Sequence, residues 1–213
     1  MYKHHFGESG GMSEAEHFGV IDKSKYLEEL KRKYENLQKD PAKKAEFQSY
    51  YEKLKQYLPP YEPRAASFDL IKRCQRFSPT QPDKEYARNF RREVLKQLSA
   101  ARSQQLPEES ILFYTACSDA EIKNHHLNTP LDQYHGIDAF LDINLGEGRQ
   151  TRVTIDGSMD PNKMERRTKS DIVTIWPEGL DPRIDPDAFE EFVRQEARKV
   201  ISHVATHDWA RAA

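Results

Sequence analysis

The 213-residue chain has only two cysteines, Cys74 and Cys117. Two make neither a disulfide framework nor a zinc knuckle, so both are expected as reduced, buried thiols. No apolar run approaches the roughly 20 residues that cross a bilayer, so no membrane partner is expected. The opening stretch, MYKHHFGESGGM, lacks the apolar region of a secretory signal, which makes a cytoplasmic protein the default expectation. Phosphate-loop and dinucleotide-binding glycine patterns are absent. No glycine-flanked serine elbow is present either, and nucleophilic catalysis gains no support. Internal repeats and low-complexity tracts are also missing.

What is present is a polar chain with enough aromatics for a core: 37% hydrophobic and 32% charged residues. The net charge of −2 conceals a gradient. Residues 61–105 carry ten Lys and Arg against five Asp and Glu, whereas residues 106–213 carry twelve against twenty. Such a balance suits a phosphate-binding surface beside a metal-binding one, or two halves that attract each other.

Leu27, Leu30, Tyr34 and Leu37 recur at helical spacing and predict an amphipathic helix over 24–39. Asp40-Pro41 then supplies a cap and a first-turn proline for a second helix over about 41–58, with Phe47, Tyr51, Leu54 and Leu58 on its stripe. The pair reads as an αα-hairpin over 23–60, preceded by a flexible segment over 1–22. Pro59, Pro60 and Pro63 end it. A short helix at 67–77 and a longer one at 80–104 make residues 61–106 a basic helical segment packed on the core. The longer helix carries Tyr86, Phe90, Val94 and Leu98 on one stripe. Arg88, Arg91, Arg92 and Lys96 on its other side are candidates for binding a DNA or RNA backbone. That helix interleaves no aromatic as a stacking surface.

Residues 107–213 read as an α+β domain. A helix from 107 leads into a small, mainly antiparallel sheet of about three strands, and Asp185-Pro186 starts a final helix over 186–204 with acids first and bases last. In YHGIDAFLDIN, residues 134–144, the odd positions are apolar and the even ones hold Asp138, Phe140, Asp142 and Asn144, the period-two mark of a strand. Gly146-Glu147-Gly148 is a turn candidate. A hairpin centred on Glu147 pairs Leu141 with Val153, Ala139 with Ile155 and Asp142 with Arg152, and sets Asp138 against Asp156. Like charges opposed on a sheet destabilise it. A divalent cation, or a lysine reaching over the pair, reverses the sign; a bulge that slips the register, or two carboxylates splayed into water, removes the conflict. Lys163, Arg166, Arg167 and Lys169 follow in the next loop, ahead of a third strand over 170–176.

Two strand carboxylates with a neighbouring lysine resemble the PD-(D/E)XK nuclease-like superfamily, over residues 107–204. The resemblance implies a Mg2+- or Mn2+-dependent nuclease with Asp138 and Asp156 as metal ligands and Lys169 or Lys163 as the catalytic cation. Glu109 or Glu108 would be the acid on the preceding helix. Ser158 stands where the family has its lysine, so the lysine would be displaced or the protein a binding-only relative. A zinc set of His125, His126, His135 and Asp138 is a further arrangement. From another class, the chain would be a non-catalytic interaction protein whose hairpin over 23–60 binds a protein partner.

Overall fold

The computed structural model describes residues 10–55, 61–118, 128–160, 162–163 and 169–209. One sheet lies at the centre, built from β1 (Ile111–Thr115), β2 (Ala139–Gly146), β3 (Arg149–Ser158) and β4 (Ile172–Ile175) in that order. The first three strands pair antiparallel, and β4 runs parallel to β3 from Ile155 onward. The class is α+β, as the pattern predicts, but the sheet has four strands rather than three and its pairing is mixed. The strand missed is β1. Ile-Leu-Phe-Tyr-Thr is too short an apolar run to separate helix from strand by period. Its β-branched and aromatic side chains instead suit a pleated surface buried on both sides.

The register of the central hairpin matches the alternation: Ala139 faces Ile155, Leu141 faces Val153 and Asp142 faces Arg152. The turn differs from the three-residue loop expected. Glu147 and Gly148 form a two-residue connection with φ of 52° and 75°, the positive-φ pair of a type I′ hairpin. Gly146, at φ 80°, takes up the extra residue as a bulge after Asn144. Together the bulge and turn leave the pairing sum unchanged.

The described helices are α1 (Gly10–Phe18), α2 (Lys23–Lys39), α3 (Lys44–Lys55), α4 (Arg64–Arg73), α5 (Glu85–Ala101), α6 (Pro130–His135) and α7 (Pro186–Trp209). Among the described residues no helix is long and apolar enough to cross a membrane. Helices α5 and α7 cover the odd-numbered face of β2 and β3, where Phe90, Val94 and Leu98 meet Leu141, Val153, Val193 and Val200. Each such side chain contributes about 1.5–3 kcal/mol through its burial. Helix α1 belongs to the same layer. Phe18, 1% exposed, packs against Tyr86, Phe113 and Trp176. That corrects the expectation of flexibility over residues 10–22: Phe18 and Ile21, the latter 2% exposed, anchor the segment by burial.

The opposite face is covered too. Phe140 stacks on Tyr114 and meets Phe68 of α4 edge-on, each at 4.8 Å between ring centres. Tyr26, Leu30 and Leu37 of α2 complete this second core. Tyr26, fully buried, takes the place expected for Leu27, which is 40% exposed. Tyr50 donates its hydroxyl to the Leu30 carbonyl at 2.8 Å, so α3 folds back onto α2. Arg152 lies 4.1 Å over Phe68 and holds Asp142 at 2.6 and 3.0 Å, and Lys72 pairs with the same carboxylate. Burial pushes the Asp142 carboxyl up, but the Arg152 and Lys72 bonds outweigh it and leave it below its ordinary value.

Gly157 shows how tightly the first layer closes. A Cβ there would lie 2.3 and 2.6 Å from Trp176 ring atoms and 2.9 Å from Phe18. Gly157→Ala is therefore expected to lower stability by about 1–3 kcal/mol through overpacking, read as a drop in urea midpoint at unchanged slope. A variant as stable as wild type would mean that Trp176 is free to move aside.

Candidate acidic site on strands β2 and β3

The two cores diverge at the end of the hairpin away from the turn, and there the acids collect. Asp138 immediately precedes β2 and Asp156 lies on β3; they are 5% and 8% exposed. Helix α6 delivers Asp138. Thr129 caps that helix by accepting from the Asp132 N–H, Pro130 opens it, and Gly136 at φ 57° ends it two residues before the aspartate. Strand parity puts Asp156 on the face of Thr154 and Arg152.

The backbone treats Asp138 as part of the sheet. Its N–H donates to the Ile155 carbonyl at 2.9 Å, and its carbonyl accepts from Ala116 at 2.7 Å. Its carboxylate Oδ2 accepts the Gly157 N–H at 2.8 Å. Asp156 is its cross-strand neighbour on the same face of the sheet. Burial, then the charges of Glu14 on α1, Asp132 on α6 and Asp156, push the Asp138 carboxyl well above the usual range. Lys163 supplies the positive charge: its Nζ donates to Asp156 Oδ1 at 2.6 Å and to the Gly157 carbonyl at 2.9 Å. Burial acts to depress the Lys163 ammonium, and the bond and charge of Asp156 outweigh it, so its affinity for the proton rises.

The sequence-expected residues divide. Asp138, Asp156 and Lys163 come together. Lys169 donates to the Tyr134 carbonyl at 2.8 Å instead of to either aspartate. Glu109 is exposed on a single turn before β1, and Glu108 in the same turn pairs with Arg91. Because Thr115, not Ile111, lies level with Ala139, Glu109 sits at the far end of the sheet, about 17 Å of strand away. A helical carboxylate whose charge acts on Asp138 is Glu14 on α1, in the segment expected to be flexible. Asp132 was also missed, although Thr129-Pro130 ahead of it is a readable helix start.

The basic helix also changes meaning. Arg91 is 2% exposed and spends its guanidinium on the Ile111 carbonyl, at 2.7 Å, and on Glu108, at 2.7 Å. It clamps β1 to α5 and is withdrawn from any ligand. Arg88 bonds the Pro82 and Asp83 carbonyls at 3.4 and 3.3 Å, Lys96 pairs with Glu93 at 3.1 Å, and Arg92 is exposed. These sit on α5, which packs on the sheet face opposite Asp156. Among the described residues, the site's own side carries Arg152 and Lys72, both spent on Asp142, together with Lys163, Lys169 and Arg64, whose guanidinium reaches Thr154 Oγ1 at 3.4 Å.

His125 and His126 lie outside the described residues, as do Arg166 and Arg167. His135 donates from Nε2 to the Glu62 carbonyl at 3.1 Å. Among the described residues no group of three His, Cys, Asp or Glu side chains is set to hold a metal ion. Asp138 and Asp156 are nonetheless buried oxygen donors of the kind that suits a hard divalent cation, a pair short of a third ligand among the described residues. A cavity of about 630 Å3 lined by Arg149, Thr151, Asp171, His203 and His207 shares no residue with these acids. We take the acids as the site because their burial needs a partner, whereas that cavity's groups are already bonded or exposed. The chain matches no protein-family model, no curated protein and no solved structure.

Asp138 holds its proton more tightly folded than unfolded. Its contribution to stability is therefore complete below the ordinary carboxylate value of 3.8 and is lost as pH rises through the elevated folded value. Asp138→Asn keeps an acceptor for Gly157 and adds a donor for Asp156. In chelator, the variant's melting temperature is expected to exceed wild type's by a margin that widens from pH 4 toward neutrality. A variant that melts lower at every pH would show that the ionised pair is not under strain.

Proposed function

We propose that the protein is a Mg2+-dependent, nuclease-like phosphodiester hydrolase. The observation that carries this reading is the buried meeting of Asp138 and Asp156 with Lys163 Nζ 2.6 Å from Asp156. Carboxylates on adjacent strands with a lysine at hand are what the resemblance to the PD-(D/E)XK nuclease-like superfamily implies. Glu14 takes the part of the helical acid, and Lys163, five residues beyond Ser158, takes that of the lysine. A group of like charges this costly to keep in a sheet calls for a ligand of opposite charge.

The roles follow from chemistry. Asp138 and Asp156 would hold the cation, with the charges of Glu14 and Asp132 adding to the field that draws it in. When bound, the metal supplies Lewis-acid polarisation of a phosphate oxygen and of a water. Lys163 stays protonated, orients the attacking water and offsets the charge that develops on the phosphate. The Gly157 N–H and the Arg152–Asp142 clamp hold the two strands at fixed spacing, so a cation would meet carboxylates already in place. The rival reading, a hairpin that binds a protein partner, would have to use surface other than Tyr26, Leu30 and Leu37 of α2 and Tyr50 of α3, which lie in the second core.

Saturating Mg2+ or Mn2+, at about 100 times Kd, contributes about 2.7 kcal/mol to the folded state. For a chain of this size that is expected as a rise of about 5–10 °C in Tm. The rise should vanish in the Asp138→Asn/Asp156→Asn double variant. Lys163→Met should retain the metal response but reduce cleavage of labelled oligonucleotides by about 100-fold or more. A wild type indifferent to both metals would overturn the proposal.

A further inference from the structure

We propose that Tyr61 and Tyr134 form a stacking platform for one nucleobase beside the acidic site, and that the substrate is single-stranded or frayed nucleic acid. The inference rests on the phosphodiesterase reading above and adds the class of substrate to it.

Tyr61 is 63% exposed, more than any other aromatic side chain among the described residues. A single exposed ring needs no explanation. This one is not alone. Its centre lies 5.5 Å from Tyr134, edge-on at 68°, and 6.2 Å from the His135 ring. Edge-on contact secures the ring while most of its surface stays open to solvent.

The arrangement is fixed from behind. His135 Nε2 donates to the Glu62 carbonyl at 3.1 Å, which ties the segment entering α4 to the end of α6. Glu62 is itself buried and paired with Lys33. Tyr61 is thus held against Tyr134 by its neighbour's backbone, and its orientation does not depend on a ligand.

Position and charge identify the occupant. Tyr134 and His135 close α6, four and three residues before Asp138, so at most about 14 Å of chain separates the platform from the acids. Lys169 Nζ rests on the Tyr134 carbonyl, Arg64 follows Tyr61 by three residues and is exposed, and Lys163 stands at the acids. An exposed aromatic face flanked by cations and set one short step from a phosphate-cleaving site suits a base attached to a sugar–phosphate backbone. A paired base inside a duplex has no free face to offer, so the ring selects unpaired nucleotides.

The test is fluorescence anisotropy of labelled oligothymidylate and of a labelled duplex, with Ca2+ in place of Mg2+. Wild type is expected to prefer the single strand. Tyr61→Ala should weaken single-strand binding about tenfold and leave duplex binding unchanged, whereas Tyr61→Phe should restore affinity to within about twofold. Tyr61 being exposed, both variants should melt as wild type does. Equal loss of single-strand and duplex binding, or no loss at all in Tyr61→Ala, overturns the platform. A wild type that binds neither nucleic acid yet still gains stability from Mg2+ also overturns it and leaves the metal site standing. Tyr61-dependent single-strand binding without any metal response keeps the platform and removes the hydrolase.

Discussion

The pairing of β2 with β3 is the constraint on which the remaining structure depends. Because side chains alternate strictly along a strand, a slip of one residue would exchange the two faces of the sheet. Here both faces are committed. Leu141, Ile143 and Val153 enter the α5–α7 core, and Phe140 enters the α2–α4 core. A slipped register would bury Asp142 and Arg152 beneath α5 and expose Leu141. The bulge at Gly146 and the left-handed pair Glu147-Gly148 set the register at one end. The Asp142–Arg152 clamp, with Arg152 lying over Phe68, secures it midway. With those pairings satisfied, Asp138 and Asp156 have no choice but to meet.

That meeting opposes the rest of the hairpin energetically. No other cross-strand pair of the hairpin opposes like charges, and this one sets two carboxylates together in a buried place. A sheet selected for stability alone would hold Asn or Thr at either position. Lys163 offsets part of the repulsion, but one ammonium bonds Asp156 and leaves Asp138 dependent on its proton and on the Gly157 N–H. The local conflict is tolerated because the cores on either side over-determine the backbone there, which is the condition under which strain persists at functional sites.

The sequence disclosed the strands and register of the hairpin, since alternation is a local signal, but not the two-residue turn and bulge that close it. Helix α5 was equally plain, from Tyr86, Phe90, Val94 and Leu98. Strand β1 was not, because a run of four apolar residues and a threonine carries no period. Nor was the cover over Phe140, because a ring between two charges on the outer face looks like solvated surface until a second layer is known. In the site, Asp138, Asp156 and the choice between two lysines were legible from pairing and proximity. The helical acid was not. Glu14 reaches the site through the burial of Phe18, a contact with partners some 70 to 160 residues away in the chain. Arg91 failed for a related reason: an arginine on a helix face reads as solvated, and only the fold shows Ile111 and Glu108 waiting for its guanidinium.

The candidate site and the proposed platform beside it draw on the whole length of the described chain: Glu14 on α1, Tyr61 before α4, Asp132 and Tyr134 on α6, then Asp138, Asp156 and Lys163. The first hundred residues therefore do not form an accessory arm. Helices α1, α2 and α4 close the sheet on both sides, and the same packing carries Glu14 and Tyr61 to the end of the hairpin where the acids lie. Cover and chemistry are coupled by construction. Loss of the Phe18 anchor would remove Glu14 from the acids, and loss of the α4 layer would release both the Arg152–Phe68 stack and the backbone that holds Tyr61. An acidic pair of this kind is retained only where the scaffold is rigid enough to bear it, and here the scaffold and the approach to the site are the same helices.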